Sequence, residues 1–442
     1  MRQATNVAMN SVAYVLKGFP RLSETFIASE IFRLEQLGLN LRLFVIKPSD
    51  EDRHHDIVKK ISAPIHYLPA TSSLSNTTLR SWLKAHLKDF SQAVEWLIKN
   101  RPIQFARAAS AAAAQSVRAR KGLFSFPRKV YAKEFLQAAC IAYELRNYPD
   151  VKHLHAHFCH GATTITWLAS MFADLPFSFT AHAKDIYCET LNPAGLLKRK
   201  MRAAKFVVTC TDANREHLEA VDSETPVHCL YHGLNAEFVS LLKHENKQLD
   251  ASAALRALGV GRLVPKKGFD VLIEACSILH ERGLPVEAVI VGEHGEHEND
   301  LRLQIQALNL EKYVRLTGPM DQPTLFREYQ KAGVFCLPCR VLQNGDRDGL
   351  PNVIMEAMAC GLPVITTPIS GIPEIIENGI NGQLIPTDDP HALADAIQRL
   401  SADRQLSNKL SEAGRETVLR KFDGDSSAAE LAALFVSNME AA

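Results

Sequence analysis

Ser11-Val-Ala-Tyr-Val-Leu16, running into Lys17-Gly-Phe-Pro-Arg-Leu-Ser23-Glu24-Thr25-Phe26, is an apolar strand that opens into a polar loop. A helix is predicted from there to about Leu37, closed by Gly38, and residues 41–46 read as a second strand. Strand, loop, helix, strand is a βαβ unit, and such units build parallel sheets. Ser23 or Thr25 is placed to cap the helix, with Glu24 in its first turn, where a carboxylate is favoured. Further strands are predicted at 151–158, 177–181, 206–210 and 227–230.

A second series of the same kind begins at 255–260. Its loop, Gly261-Arg262-Leu-Val-Pro-Lys266-Lys267-Gly268, leads into a helix through 271–279, followed by a strand at 286–291. Ligand sites in open α/β sheets gather at the carboxyl ends of strands, so Arg262 and Lys267 stand where a diphosphate would lie. A planar guanidinium fork and a point charge together can neutralise it. A solvated basic turn explains them as well. Val314-Arg-Leu-Thr317-Gly318 is a later strand and turn, and residues 334–337 form the strand before the next motif.

That motif is Asp348-Gly349-Leu350-Pro351-Asn352-Val353-Ile-Met-Glu356. Apolar spacing predicts a short helix with Pro351 at its first position. Leu350 offers no capping oxygen, so the N–H groups of Asn352, Val353 and Ile354 have no evident local acceptor. Such a helix start can take a phosphate. Glu356 lies on the face of Asn352, about 6 Å further along the axis, within reach of a ribose. The alternative is an amphipathic helix with two solvated carboxylates.

An acid, seven residues and a Glu, followed by Ala-Met-Ala-x-Gly-x-Pro-Val-Ile-x-Thr and Gly371-Ile-Pro-Glu374, resembles the donor-site signature of family-4 retaining glycosyltransferases. The Asp-Gly-Leu-Pro-Asn form resembles a bacterial exopolysaccharide branch of the colanic-acid type. Two positions depart from the family pattern. Asp348 stands where most members have Glu, and His232 interrupts the usual Asn-Gly-Val-Asp. The resemblance implies a GT-B fold, two doubly wound Rossmann-like domains with an interdomain cleft. It implies that Arg262 and Lys267 contact the donor diphosphate, that Glu356 holds the ribose and that Asp348 holds the donor sugar. It also places Thr317 and Gly318 near the base, with Gly349, Leu350, Asn352 and Val353 on the donor. His182, in Thr180-Ala-His182-Ala-Lys-Asp185, would face the donor sugar. Lys17-x-Phe-Pro-x-x-Ser-Glu-Thr-Phe would form the acceptor side, through Gly18, Ser23 and Glu24.

Domains are expected at 1–240, 241–422 and 423–442, the last a helix returning to the first domain, with residues 238–253 as the connection. Residues 79–133 are an unusual helical insertion, with twelve basic residues against two acids, a net +10 in a chain of +1 overall. Trp82, Leu83, Leu87, Phe90, Val94, Trp96 and Leu97 accompany those charges. A basic amphipathic segment can lie on an anionic membrane surface, or it can pack on the first domain with its charges in water.

Hydrophobic content of 46% and charged content of 22% are ordinary for a globular chain, and the net charge points to no nucleic acid. No apolar stretch is long enough to span a bilayer, and the N-terminus shows no signal peptide. Nine scattered cysteines suit a reducing compartment. Neither Cys336-Leu-Pro-Cys339 nor the alternating His153, His155 and His157 completes a recognisable metal set. No metal or cofactor is expected beyond the nucleotide sugar itself. The expectation is a cytoplasmic enzyme, peripheral on the inner face of the plasma membrane, that moves a sugar to a saccharide or lipid-linked saccharide. Absence of Gly-x-Gly-x-x-Gly after the first strand argues against a dinucleotide oxidoreductase. A nucleotide-sugar epimerase of related fold and a non-catalytic polysaccharide-binding relative are the alternatives.

Overall fold

The computed structural model describes residues 10–21, 24–48, 56–75, 77–122, 124–234, 236–244 and 255–440. Ser23, Asn235 and most of the expected connection lie outside them. The chain divides into two compact units. One comprises Met1–Thr209, Arg215–Leu230 and Ala428–Ala442, and the other Cys210–Asn214 and Tyr231–Ser427.

The first unit holds β1 (Ser11–Phe19), β2 (Asn40–Pro48), β3 (Ile65–Tyr67), β4 (Val151–His157), β5 (Phe177–Ala181), β6 (Val207–Thr209) and β7 (Val227–Cys229). They form one parallel sheet in the order β3-β2-β1-β4-β5-β6-β7. Tyr14 of β1 lies opposite Leu43 on one side and His155 on the other. The order reverses at β1 and β4, so their carboxyl ends border a crevice of the kind that takes ligands in such sheets. Helix Gly424–Glu440 brings Phe435 within this unit onto Tyr14, His153, His155 and Phe206, with ring centroids 5.1–6.0 Å apart.

Basic helices Leu79–Asn100 and Pro102–Arg118 pack onto the same unit. Trp82, Phe90, Leu97, Ala108 and Ala112 are buried in its core, while Leu87, Ile98 and Ile103 stay exposed. Of the seven apolar residues expected to accompany those charges, Trp82, Phe90 and Leu97 are buried, Leu83, Val94 and Trp96 are half-buried against the same core, and Leu87 is exposed.

The second unit holds β8 (Arg256–Val260), β9 (Glu287–Val291), β10 (Val314–Leu316), β11 (Val334–Leu337), β12 (Val364–Thr366) and β13 (Gln383–Leu384). This sheet is also parallel, in the order β10-β9-β8-β11-β12-β13, and it reverses at β8 and β11. Residues 238–244, expected as connection, instead form part of helix Ala236–His244. Phe238 is the reason: it is fully buried, 5.4 Å from the Phe326 ring and 5.8 Å from Tyr329. Among the described residues no helix is long and apolar enough to cross a membrane.

Candidate active site

In the second unit β8 ends at Val260 and the chain turns through Pro265–Lys267 into helix Phe269–Glu281. Gly268 makes that turn with φ +70°, and a Cβ there would lie 1.9 Å from the Pro338 carbonyl oxygen. Only glycine allows this approach, which sets the two lysines against the end of β11. Lys267 Nζ is 2.7 Å from Asp348 Oδ2, and Lys266 Nζ is 3.1 Å from Asp348 Oδ1 and 3.0 Å from Asp346 Oδ1. Burial alone would raise the Asp348 carboxyl. The ammonium groups of Lys267 and then Lys266 overcome it and hold the carboxyl well below the usual carboxylate range. Burial lowers Lys266 less than Asp348 and Asp346 raise it, so it stays charged.

Asp348, expected to hold the donor sugar, has one ammonium group on each carboxylate oxygen and balances their charge. Lys266 and Asp346 were not singled out, although Lys266, 6% exposed, is the more buried lysine. Arg262 is exposed and makes no ion pair among the described residues. Cys339 Sγ lies 3.8 Å from Asp348, and burial pushes its thiol up to about 12. Cys336 and Cys339 are both buried and free, as core filler would be.

The loops after β9 and β10 adjoin the loop after β8. Leu263 N–H donates to the Glu293 carbonyl (3.0 Å), and a Cβ on Gly292 would lie 1.8 Å from the Gly261 oxygen. Gly292 N–H donates to Gly318 (3.1 Å), and Thr317 N–H to Ile290 (3.0 Å). Thr317 and Gly318 thus share one rim with Arg262.

Helix Asn352–Ala359 begins one residue later than expected. Pro351 is its N-cap, with φ −65° and ψ 121°, and no side chain caps it. Ile354 N–H donates to the Pro351 carbonyl (3.0 Å), so it is not one of the open donors; Asn352 and Val353, both half-buried, supply them. Gly349 accepts from Gly371 N–H (3.0 Å), and Leu350 packs on the core. Glu356 lies deeper, 6% exposed, and its Oε2 accepts from the Tyr329 hydroxyl (2.9 Å). Burial pushes its carboxyl up to about 7, against the pull of Tyr329 and Gln322.

In the first unit His182 ends β5 and leads helix Ala183–Tyr187. Its backbone N–H donates to Asp185 Oδ1 (2.8 Å), and the other Asp185 oxygen takes the Cys159 N–H. Asp185 is therefore a loop brace. The His182 ring lies against Phe26 (5.1 Å) and Phe158 (4.8 Å), with Nε2 3.5 Å from His157 Nδ1. His157 Nε2 is 2.8 Å from Glu30 Oε1, which also accepts from Tyr14 (3.0 Å). Glu30 was not anticipated, since nothing in its helical spacing marks which strand it meets. His155 has both nitrogens on the hydroxyls of Ser178 and Thr180, 2.8 and 3.0 Å away. Glu30, His155 and His157 are close enough together to hold an ion, and hydrogen bonds already engage all three.

Gly18 closes β1 beside Arg21, whose Nε would lie 2.7 Å from an added Cβ. Glu24 takes the N-cap position expected for Ser23 or Thr25. Its carboxylate makes no cap bond and instead accepts from Arg21 (3.3 Å). Burial raises its carboxyl. Lys17 Nζ reaches His160 Nε2 at 3.5 Å, linking the β1 loop to the β4 loop.

The fold is α/β, two Rossmann-like units of GT-B architecture. Residues 243–417 match the family described as Glycosyl transferases group 1. Over 147 residues the chain is 44% identical to the amylovoran biosynthesis glycosyltransferase AmsK of Erwinia amylovora, covering 33% of this chain and 36% of that one. Over 184 residues it is 39% identical to the putative colanic acid biosynthesis glycosyltransferase WcaL of Escherichia coli, covering 41% and 44%. The chain thus spans less than half the length of these curated relatives. Among solved structures, sucrose-phosphate synthase of Thermosynechococcus elongatus aligns over 98% of this chain and 100% of its own, with TM-score 0.68 and 18% identity. HepE of Anabaena, in complex with UDP-glucose, aligns over 97% and 99%, with TM-score 0.66 and 17% identity.

Proposed function

We propose that the protein is a retaining glycosyltransferase that takes a sugar from a nucleotide-diphosphate donor and transfers it to a saccharide or lipid-linked saccharide in bacterial surface or exopolysaccharide synthesis. The observation that carries this is the Lys266–Lys267–Asp348 cluster at the β8/β11 reversal, in the loops that lead to the uncapped start of helix Asn352–Ala359. Cleaving the bond between the anomeric carbon and the diphosphate leaves negative charge on the diphosphate oxygens. Lys267, Arg262 and the Asn352 and Val353 N–H groups would stabilise that charge as it grows. Fixed cations of this kind do the work a divalent metal does elsewhere, so no metal is invoked. Glu356 is proposed to hold the ribose, with Thr317 and Gly318 on the base side. The family resemblance supports a place for His182 on the donor sugar and for Gly18 and Glu24 on the acceptor side. The UDP-glucose complex of HepE supports a nucleotide-sugar donor. The proposed setting is the cytoplasm, with the basic helices against an anionic inner membrane surface.

Calorimetry against uridine, guanosine and adenosine diphosphate sugars tests the reading. One nucleotide series should bind, and Arg262→Ala should weaken it about tenfold, the value of one charge-assisted hydrogen bond at an exposed site. Absence of binding across the whole panel at millimolar concentration, together with glycan binding, would leave a polysaccharide-binding protein instead.

A further inference from the structure

Two phenylalanines in the basic insertion stand almost wholly in water: Phe124 is 97% exposed and Phe126 94%. Each is a large apolar ring that the described residues leave uncovered. Single exposed apolar residues are ordinary, but two neighbouring rings held out on one loop are not.

The loop is not a loose end. Its stem is closed twice between the same two residues. Arg128 N–H donates to the Ser116 carbonyl (2.9 Å), and Ser116 Oγ donates to the Arg128 carbonyl (2.8 Å). Lys129 Nζ ties the stem to the Thr77 carbonyl, and Lys133 Nζ reaches the Ser72 carbonyl at 3.4 Å. Near the tip, Ser125 N–H donates to the Gly122 carbonyl (3.0 Å). Val117, 43% exposed, continues the apolar surface beside the stem.

Charge along this stretch has one sign. Arg118, Arg120, Lys121, Arg128 and Lys129 flank the rings in sequence, and no acidic residue occurs from Trp96 to Lys133. Aromatic rings on a stretch rich in cations and free of acids are the chemistry of an anionic lipid interface. Rings enter at the depth of the headgroups and upper acyl chains while the cations pair with phosphates. An apolar pocket on a partner protein would explain the rings but not five flanking cations.

We propose that the loop closed by Ser116 and Arg128 is a membrane anchor that inserts Phe124 and Phe126 into an anionic bilayer. This rests on the membrane contact proposed above and moves it from the helix faces, where Trp82, Phe90 and Leu97 are buried, to the loop tip.

The test is flotation of the full chain with phosphatidylcholine vesicles, with and without about one third phosphatidylglycerol. Wild type should bind the anionic vesicles and lose most binding as salt rises. Phe124→Ser/Phe126→Ser should weaken that binding at least about tenfold, leaving a residual attraction that salt abolishes. Arg120→Gln/Lys121→Gln should weaken binding only to anionic vesicles. Phe124→Trp should shift its emission to the blue on vesicles and be quenched by brominated acyl chains. Equal binding of wild type and the double phenylalanine variant, or a tryptophan that stays in water, overturns the anchor. Failure of wild type to bind any anionic vesicle overturns the membrane contact as a whole. Nucleoside diphosphate binding, followed in the same variants by calorimetry, should not change, so a failed donor site is told apart from a failed anchor.

Discussion

Lys267→Ala is expected to lower kcat/KM for sugar transfer by about two to three orders of magnitude, the usual effect of deleting one preorganised group that meets growing charge. The fold should survive the change. Asp348 Oδ1 keeps Lys266 at 3.1 Å, so no carboxylate is stranded. The same substitution at the preceding residue should behave oppositely. Lys266 is 6% exposed and is shared by Asp346 and Asp348, 3.0 and 3.1 Å away. Its removal takes a buried ammonium from between two buried acids, at a cost of about 3 kcal/mol of stability. Urea unfolding together with initial rates on each variant separates the two. The decisive pattern is a stable, slow Lys267 variant beside an unstable Lys266 variant. Near-wild-type turnover in Lys267→Ala would remove that lysine from the chemistry, and Asp348 would then be part of a purely structural ion cluster.

That contrast could not be drawn from the sequence. Gly261, Arg262 and the Lys-Lys-Gly268 turn mark a strand-to-helix loop, and both βαβ series follow from where apolar runs alternate with helical spacing. Parallel sheets bury strands on both faces, so such runs are conspicuous. Which of two adjacent lysines points inward depends on residues some eighty positions away, Asp346 and Asp348, and spacing carries nothing about that. The same holds for Glu30, which meets His157 across more than a hundred residues. Helical periodicity identified the apolar face of the basic helices but not what covers it. Trp82 and Phe90 therefore fit a membrane stripe and a face packed on the first domain alike, whereas Phe124 and Phe126, in a loop without period, carried no signal. The start of helix Asn352–Ala359 was misplaced by one residue. A proline fits both the first helical position and the one before it, and only ψ, here 121°, tells them apart.

Glu356→Gln should make the protein more stable at pH 8 and a poorer binder of nucleoside diphosphates. The wild-type carboxyl is pushed from 4.5 to about 7 by burial, and the folded state therefore holds its proton more tightly than the unfolded chain does. The sign follows. Stability from this group is fully present below about pH 4.5, where both states are protonated, and it is lost as pH rises through 7, where folding must bury a carboxylate. A displacement of this size corresponds to roughly 3 kcal/mol. A glutamine of the same shape can still accept from Tyr329 and has no charge to bury, so the variant should gain that amount above pH 7 and nothing near pH 4.5. The protein retains an acid there despite the cost, which is how a binding group in a poorly solvated place behaves. Only the ionised form can accept from ribose hydroxyls at full strength, so donor affinity in wild type should rise as pH passes 7. The glutamine variant should bind roughly tenfold to a hundredfold more weakly and show no such rise. Unfolding curves that stay parallel from pH 5 to 8 would show that Glu356 does not titrate there. Unchanged affinity in the variant would place the ribose elsewhere on the rim formed by Arg262, Thr317 and Gly318.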